Sequence, residues 1–220
     1  PRINLASIFG ASSKKPFLLR IPATGERPIE FSAKNLPDGL KICDNIIVGA
    51  VEEDGVYEVI LTAKNSLGEH TKKLTLEIAP NNVLITPLLG FTTWNAFAEK
   101  VTQNDVLDTA KSMVKYGLTE YGYSYVNVDS GWQYKYGGEL DAIQPNPKFP
   151  DMKSMTDEIH SMGMKCGIYS TPMLTAWGCP REYTSIPGCT VGEPDIRFTA
   201  QNGGIGVDRK EKNNAKQWAA

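Results

Sequence analysis

Short runs of alternating apolar and polar residues fill the first 80 positions of the chain. Four of them are rich in Val, Ile, Leu, Phe and Thr: FLLRIPA, IEFSAK, VYEVILTAKN and TKKLTLEIA. Turn-forming clusters lie between them, among them ATGERP, NLPDG, EEDG and NSLGE. Runs of this length without a helical period predict strands, so residues 1–80 are predicted to form a small β-sandwich domain.

Beyond residue 80 apolar runs alternate with stretches of helical spacing. The runs VLIT, SYVNVD and KCGIYS predict strands, and TQNDVLDTAKSMVKYG and DMKSMTDEIHSMG predict the helices between them. Thr102 and Asp105 have the spacing of an N-terminal capping box, and Gly117 and Gly163 are placed as helix stops. This order of elements predicts parallel strands with right-handed crossovers.

A further helix is predicted to begin near Asp208, in DRKEKNNAKQWAA. Residues 83–220 then hold three βα units, whereas a complete eight-unit barrel takes about 250 residues. We therefore expect the N-terminal part of a barrel, truncated in mid-repeat. Its open sheet edge is a candidate for self-association.

Composition narrows the classes of partner. The 23 basic and 25 acidic side chains give a net charge of −2. No run of Lys or Arg occurs, so neither nucleic acid nor an anionic membrane is predicted as a partner. No segment approaches the roughly 18 consecutive apolar residues of a membrane span. His70 and His160 lack metal-ligand spacing to the cysteines, so no metal site is predicted.

The chain has four cysteines. Cys43 and Cys166 lie inside apolar strand-like runs and are predicted to be small buried hydrophobic residues. Cys179 and Cys189 flank a loop; a disulfide and two free thiols are both open, because the choice depends on an oxidising compartment. The N-terminal PRINLASIFG lacks the features of a signal peptide, which leaves a removed signal and no signal equally open.

Functional residues are expected where the predicted strands end, as in other parallel α/β architectures. These ends carry GFTTWN, then Asp129-Ser130-Gly131-Trp132, then Tyr169-Ser170-Thr171. Aromatic rings cover the apolar face of a sugar, and a carboxylate accepts strong hydrogen bonds from its hydroxyls. Asp129 is the favoured functional residue, because a charge directly after a buried strand is costly without partners. Trp132 and Tyr169 fit a sugar site and loop packing equally well.

Three stretches resemble one known family. TPLLGFTTWNAF, YGYSYVNVDSGW and FPDMKSMTDEIHSMGMKCGIYS are similar to the motifs PPMGWNSWN, GYxYVNIDDCW and FPxGMKxLADYVHSKGLKxGIYSD of glycoside hydrolase family 27. This is the α-galactosidase and α-N-acetylgalactosaminidase family. The motifs occur in the family's order and spacing over about residues 85–171. In addition, IPATGERPIEFSAKNLPDGLKI and GVYEVILTAKNSLGE resemble the immunoglobulin-like domain that precedes such barrels in some bacterial enzymes.

The resemblance implies a multidomain fold. An all-β immunoglobulin-like sandwich at residues 1–80 would precede the first three βα units of a (β/α)8 TIM barrel at residues 83–220. It also implies a secreted or periplasmic bacterial retaining exo-glycosidase that acts on a carbohydrate and needs no cofactor and no metal. The family places its nucleophile and its acid/base after the fourth and sixth strands, so we expect both beyond residue 220 and expect this chain alone to be inactive. A non-catalytic carbohydrate-binding or adhesion module is the alternative.

Carried over residue by residue, the resemblance transfers binding roles only. Asp129 matches the first Asp of the family's pair, which holds hydroxyls of the sugar. Phe91 matches the Trp and Tyr169 the Tyr that lie beside that sugar, and Trp132 matches the Trp of the second motif. Together with Ser130, these are the predicted substrate-binding residues.

The same positions show where the chain departs from the pattern. Ser130 replaces the second Asp of the pair, which removes a charged acceptor for sugar hydroxyls. Gly131 replaces the motif Cys, and Thr171 replaces an Asp. These departures leave galactose, an arabinopyranoside and a glucoside open as the recognised sugar.

Overall fold

The computed structural model describes residues 1–137 and 142–169 throughout, and short strands at residues 173–175, 198–199 and 205–206. These residues form two compact units. The first comprises Pro1–Phe91, Thr109–Tyr125 and Glu158–Lys165; the second comprises Thr92–Asp108, Val126–Asp157 and the described residues from Cys166. The boundary between the units falls inside individual strands, so the units are not sequence domains. The division into domains at residues 1–80 and 83–220 therefore stays a prediction.

Nine strands lie in the first 78 residues: β1 Arg2–Ile3, β2 Ile8–Ala11, β3 Phe17–Arg20, β4 Ala23–Thr24, β5 Glu30–Lys34, β6 Leu40–Cys43, β7 Ile46–Gly49, β8 Gly55–Asn65 and β9 Gly68–Ile78. They form a four-stranded sheet in the order β2-β9-β8-β5, a three-stranded sheet in the order β3-β7-β6 and the pair β1-β4. The pair β2-β9 is parallel, and the other pairs are antiparallel.

Both larger sheets contribute to one hydrophobic core. In β8 the fully buried Val59, Leu61 and Ala63 alternate with more exposed residues, as the period-two pattern predicts. Ile47 on β7 joins the same core. Full burial of one Val, Leu or Ile side chain contributes about 1.5–3 kcal/mol. The predicted β-rich region is therefore confirmed, whereas its immunoglobulin-like character stays a prediction.

Strands and helices alternate beyond this region. The elements are β10 Gly90–Thr92, α1 Trp94–Phe97, a 3-10 turn Ala98–Lys100, α2 Gln103–Lys115, a 3-10 turn Leu118–Tyr121, β11 Tyr125–Val128, β12 Gln133–Gly137, β13 Ala142–Pro145, α3 Met152–Ser161 and β14 Lys165–Ile168. The antiparallel hairpin of β12 and β13 is an addition that the apolar pattern did not predict.

Hydrogen bonds at the two ends of β10 and β11 give their direction. The carbonyl of Leu89 accepts from the N–H of Ser124 at 3.0 Å, just before both strands. After them, the N–H of Thr93 donates to the carbonyl of Asn127 at 3.1 Å. The partners advance together along the chain, so the two strands are parallel.

The pairing of β11 with β14 follows the same rule. Lys165 N–H donates to the carbonyl of Ser124 at 2.7 Å, and Tyr169 N–H donates to the carbonyl of Val128 at 2.8 Å. The sheet order is β10-β11-β14. The predicted parallel strands are confirmed, but the described sheets do not close into a barrel. The truncated TIM barrel therefore stays a prediction.

Helix α2 begins at the predicted capping box. The N–H of Asp105 donates to Oγ1 of Thr102 at 3.2 Å, and the N–H of Thr102 donates to Oδ2 of Asp105 at 2.9 Å. Such caps contribute about 0.5–2 kcal/mol. Gly117 follows the helix with φ +74°, and Gly163 follows α3 with φ +73°, in the left-handed conformation that ends a helix. Both predicted stops are confirmed.

Two sequence-based expectations are wrong. VLIT was expected to be a strand, but no strand covers it, and Val83 and Leu84 are 73% and 49% exposed. Pro87 lies just after it and has no N–H to donate to a ladder, so pairing begins only at Gly90. Cys43 is exposed rather than buried, because it falls on the outward face of β6. Cys166 is half-buried.

The second unit also contains the three-stranded sheet β15-β17-β16, formed by β15 Met173–Thr175, β16 Phe198–Thr199 and β17 Ile205–Gly206. The predicted helix near Asp208, and the predicted bridge between Cys179 and Cys189, lie outside the described residues. Within the described part of the chain, no helix is both long and apolar enough to cross a bilayer.

Candidate functional site

The second unit brings together the ends of β11 and β14. Asp129 directly follows β11, and Tyr169 directly follows β14. The Tyr169 N–H donates to the carbonyl of Val128, the residue before Asp129, at 2.8 Å. The two predicted site residues therefore stand side by side at the carboxyl ends of neighbouring parallel strands, where α/β folds place their ligands.

Asp129 is held by its backbone and by one carboxylate oxygen. Its N–H donates to Oγ1 of the fully buried Thr93 at 2.9 Å, and its Oδ1 accepts the N–H of Ser130 at 2.7 Å. No donor among the described residues reaches the other oxygen, Oδ2. The half-buried carboxylate is thus fixed in direction and keeps an acceptor for a ligand.

Tyr169 presents a neutral phenol next to this carboxylate. Partial burial raises the pKa of the Tyr169 hydroxyl, and the negative charge of Asp129 raises this pKa further. The phenol therefore keeps its proton at neutral pH. Together the pair supplies a charged acceptor and a hydroxyl that both donates and accepts, which is a combination suited to sugar hydroxyls.

The Trp132 side chain is buried in this arrangement. Its side chain is only 5% exposed, and its indole N–H donates to the backbone carbonyl of Tyr169 at 2.9 Å. The ring ties the segment after β11 to the end of β14. The predicted contact between Trp132 and a substrate stays a prediction, and the burial favours the loop-packing interpretation.

Ser130 and Gly131 shape the turn behind Asp129. Ser130 is 2% exposed, and its buried Oγ has no hydrogen-bond partner among the described residues. Gly131 has φ +112°, and a Cβ on it would approach the backbone of Glu99 to 3.0 Å. Glycine is therefore required at position 131 by both conformation and space.

Two buried amides, Gln133 and Asn146, complete the site, and the apolar pattern did not single out either one. Gln133 Oε1 accepts the N–H of Gly131 at 3.0 Å, and its Nε2 donates to the carbonyl of Tyr169 at 3.3 Å. Asn146 Nδ2 donates to the carbonyl of Gly131 at 2.6 Å. In the sequence these are only two polar residues, one at the start of β12 and one after β13. Their common role depends on the pairing of β12 with β13, which the sequence pattern did not predict.

Of the remaining predicted residues the structure describes only Phe91, and its contact with a substrate stays a prediction. Phe91 is a half-buried residue of β10 in the first unit. Thr171, Cys179 and Cys189 are outside the described residues. Among the residues that the structure describes, no group of three or more His, Cys, Asp or Glu side chains is placed to hold a metal ion.

Residues 86–201, more than half of the chain, match the family profile described as "Alpha galactosidase A". The chain belongs to this family. The alpha galactosidase A family is a family of glycoside hydrolases, as the motifs around Asp129 and Tyr169 implied. The match begins shortly before β10 and includes every candidate residue of the site.

Curated relatives share the same region. "Probable alpha-galactosidase B" of Aspergillus fumigatus is 40% identical over 128 residues, which are 55% of this chain and 29% of the relative. "Probable alpha-galactosidase" of Dictyostelium discoideum is 36% identical over 100 residues, 44% of this chain and 25% of the relative. The chain thus spans under a third of the length of these relatives.

Solved structures extend the similarity over more of the chain. A "putative alpha-galactosidase" from Bacteroides fragilis is 38% identical with a TM-score of 0.75, and the match covers 80% of this chain and 38% of the other. A second Bacteroides fragilis structure, of a "putative alpha-galactosidase/melibiase", is 40% identical with a TM-score of 0.72, covering 77% of this chain and 37% of the other.

Proposed function

We propose that this member of the alpha galactosidase A family belongs to a retaining exo-glycosidase that releases a terminal sugar, and that its described residues bind that sugar. The observation that carries the proposal is the pairing of two residues at neighbouring strand ends. Asp129 follows β11, and its Oδ2 has no donor among the described residues; the neutral Tyr169 follows β14. The names of the relatives support an α-galactoside as the substrate.

The proposed contacts follow from the donor and acceptor properties of the pair. A sugar hydroxyl donates to Oδ2 of Asp129, and a hydrogen bond to a charged group contributes about 1.5–3 kcal/mol. The phenol of Tyr169 donates to a second sugar oxygen. Ser130 is buried and carries no charge, so one carboxylate rather than two accepts hydrogen bonds from the sugar hydroxyls.

Asp129 is proposed to bind rather than to cleave. A retaining glycosidase needs two carboxyl groups about 5 Å apart on opposite faces of the bond. Among the described residues that directly follow β10, β11 and β14, Asp129 alone carries a carboxylate. The nucleophile and the acid/base are therefore proposed to come from other parts of the whole enzyme.

Three further parts of the expectation stay proposals. An immunoglobulin-like character of the β-rich region, and secretion or a periplasmic location, rest on the resemblance. Self-association rests on the open sheet edge of an incomplete barrel.

Binding of monosaccharides to the chain tests the proposal. In 1H–15N spectra, D-galactose should shift the amides of residues 129–133 and 169, and Asp129→Asn should abolish the shifts. Asp108→Asn, on an exposed face of α2, is the matched control and should bind like the unmodified chain. Two further sugars test which one is preferred. L-Arabinopyranose lacks the C6 group of galactose, and D-glucose is the C4 epimer of galactose.

Hydrolysis separates binding from cleavage. We expect no turnover of 4-nitrophenyl α-galactoside by this chain. Turnover that is present in the unmodified chain and absent in Asp129→Asn would contradict the binding-only role. Failure of all three sugars to bind would sink the proposed function itself.

A further inference from the structure

One buried amide side chain joins the two strand ends of the site. Gln133 is 2% exposed. Its Oε1 accepts from Gly131, two residues after Asp129, at 3.0 Å. Its Nε2 donates to the carbonyl of Tyr169 at 3.3 Å. A primary amide has one acceptor oxygen and one donor nitrogen on a rigid plane, and this connection uses both.

The surroundings hold this amide in place. The Asn146 N–H donates to the carbonyl of Trp132 at 2.8 Å, and Asn146 Nδ2 donates to the carbonyl of Gly131 at 2.6 Å. The indole of Trp132 donates to the same Tyr169 carbonyl that Gln133 contacts. Residues 131–133 are thus fixed from one side by Asn146 and from the other by Tyr169. Buried networks with satisfied members of this kind make local geometry rigid.

We propose that Gln133 is a positioning residue: it sets the separation of the Asp129 carboxylate and the Tyr169 side chain, and so selects which neighbouring hydroxyls of a monosaccharide the pair can hold together. Trp132 also ties this segment to Tyr169 through its indole N–H, whereas Gln133 in addition accepts the N–H of Gly131, two residues after Asp129. The selection of a sugar rests on the proposed function, whereas the positioning is a property of the protein. Neither Gln133 nor Asn146 needs to touch the sugar.

The electrostatic coupling between Asp129 and Tyr169 depends on their separation and therefore reports a change in it. The charge of Asp129 contributes to the raised pKa of Tyr169, so Asp129→Asn lowers that pKa. We would titrate ζ-13C-labelled Tyr169 by NMR in the unmodified chain, Asp129→Asn, Gln133→Met and the double variant. Gln133→Met keeps the volume and removes both hydrogen bonds. We expect the effect of Asp129→Asn on the pKa to shrink to less than half in the Gln133→Met background.

The matched control is Gln103→Met. Gln103 also links two segments through its side chain, since its Oε1 accepts the N–H of Asp151 at 2.9 Å, but it lies at the start of α2. Its substitution should leave the coupling unchanged. An equal effect of Asp129→Asn with and without Gln133 would overturn the proposal.

A second substitution covers the case in which Gln133→Met does not fold. Gln133→Glu keeps the shape and the acceptor for Gly131, but it replaces the donor to the Tyr169 carbonyl with a second acceptor, so the coupling should again fall. If neither variant folds while Gln103→Met does, Gln133 is a residue of the structural core and the proposal is overturned.

Sugar binding adds the functional arm. Gln133→Glu should weaken D-galactose binding at least tenfold relative to Gln103→Met. Unchanged affinity would contradict the selection of hydroxyls by Gln133. Absence of sugar binding in the unmodified chain would end the proposed function, and the pKa coupling would still decide whether Gln133 positions the pair.

Discussion

Arg20 donates a hydrogen bond from Nη1 to the backbone carbonyl of Met162 at 2.6 Å. Arg20 ends β3, and Met162 is the first residue after α3, so a strand of the N-terminal sheets satisfies a carbonyl that the end of the helix leaves open. Nearby, the ammonium group of Lys165 lies 4.8 Å from the ring centroid of Phe9. Residues far apart in sequence thus stabilise one unit.

Replacement of Arg20 by Ala should therefore destabilise the segment after α3 as well as β3. A hydrogen bond from a charged donor contributes about 1.5–3 kcal/mol, and we expect a loss of this size in the free energy of unfolding in urea. Protection of the Lys165 amide against hydrogen exchange should fall with it. Arg2→Ala, at an exposed strand end, is the control. Loss of stability with unchanged exchange at Lys165 would contradict the link.

Ser130→Ala should leave the free energy of unfolding unchanged or raise it by up to about 1 kcal/mol. The buried Ser130 hydroxyl has no partner among the described residues, so its desolvation is not offset by a hydrogen bond. Thr93→Val is the contrasting variant, because it removes the oxygen that accepts the N–H of Asp129. It should cost about 1–3 kcal/mol by leaving that N–H unsatisfied. Thermal unfolding of both checks the sign, and a clearly destabilised Ser130→Ala would reveal a partner for its hydroxyl.

Gly131→Ala should be the more damaging of two glycine substitutions. Gly131 and Gly68 both have positive φ, at +112° and +141°, but only at Gly131 does an added Cβ meet backbone, that of Glu99 at 3.0 Å. Conformational strain of this kind costs about 1–3 kcal/mol at either position. The difference between the two variants in lost free energy of unfolding then measures the effect of the close contact with Glu99. Equal losses in urea unfolding would mean that the turn moves to make room.

The two described thiols should differ in reactivity. Burial raises the pKa of Cys166 to about 11, so at pH 8 this group is almost entirely the unreactive thiol. Cys43 is exposed. Iodoacetamide at pH 8 should label Cys43 well before Cys166, which peptide mass spectrometry resolves. Faster labelling of Cys166 would show that its strand opens readily.

The same shift predicts how stability depends on pH. The folded state holds the Cys166 proton more tightly than the unfolded state, whose thiol has the ordinary value of 9.0. The stabilisation of the folded state from this difference in pKa is complete below about pH 9 and is lost as pH rises toward 11. Cys166→Ser should flatten this part of the profile in urea unfolding.

Local rules were enough for much of the fold. The capping pair Thr102 and Asp105, and the stop at Gly117, depend on neighbours within a few residues, and the sequence contains all of them. The alternation of Val59, Leu61 and Ala63 likewise reports one buried face. Asp129 could be singled out because a charge after a strand is unusual on its own.

The rest of the site depends on pairings that no local window contains. Trp132 donates across 37 positions to Tyr169, and Gln133 donates across 36 positions to the same carbonyl. From sequence alone, a tryptophan next to an acid is equally consistent with stacking on a sugar and with loop packing. The hydrogen bond of Trp132 to Tyr169 is what distinguishes them, and it is not visible in the sequence. VLIT failed for a related reason: its apolar residues predicted a strand, but a strand also needs a neighbour with which to pair.

Thr93 shows how the proposed sugar site would constrain a position that itself touches no ligand. Its hydroxyl oxygen accepts from Asp129, and its own N–H donates to Asn127, so one fully buried residue after β10 fixes the end of β11. Serine could replace it, whereas valine and alanine could not supply the oxygen. When variants are selected for a different sugar, this position is therefore closed to most substitutions before any preference between sugars is tested.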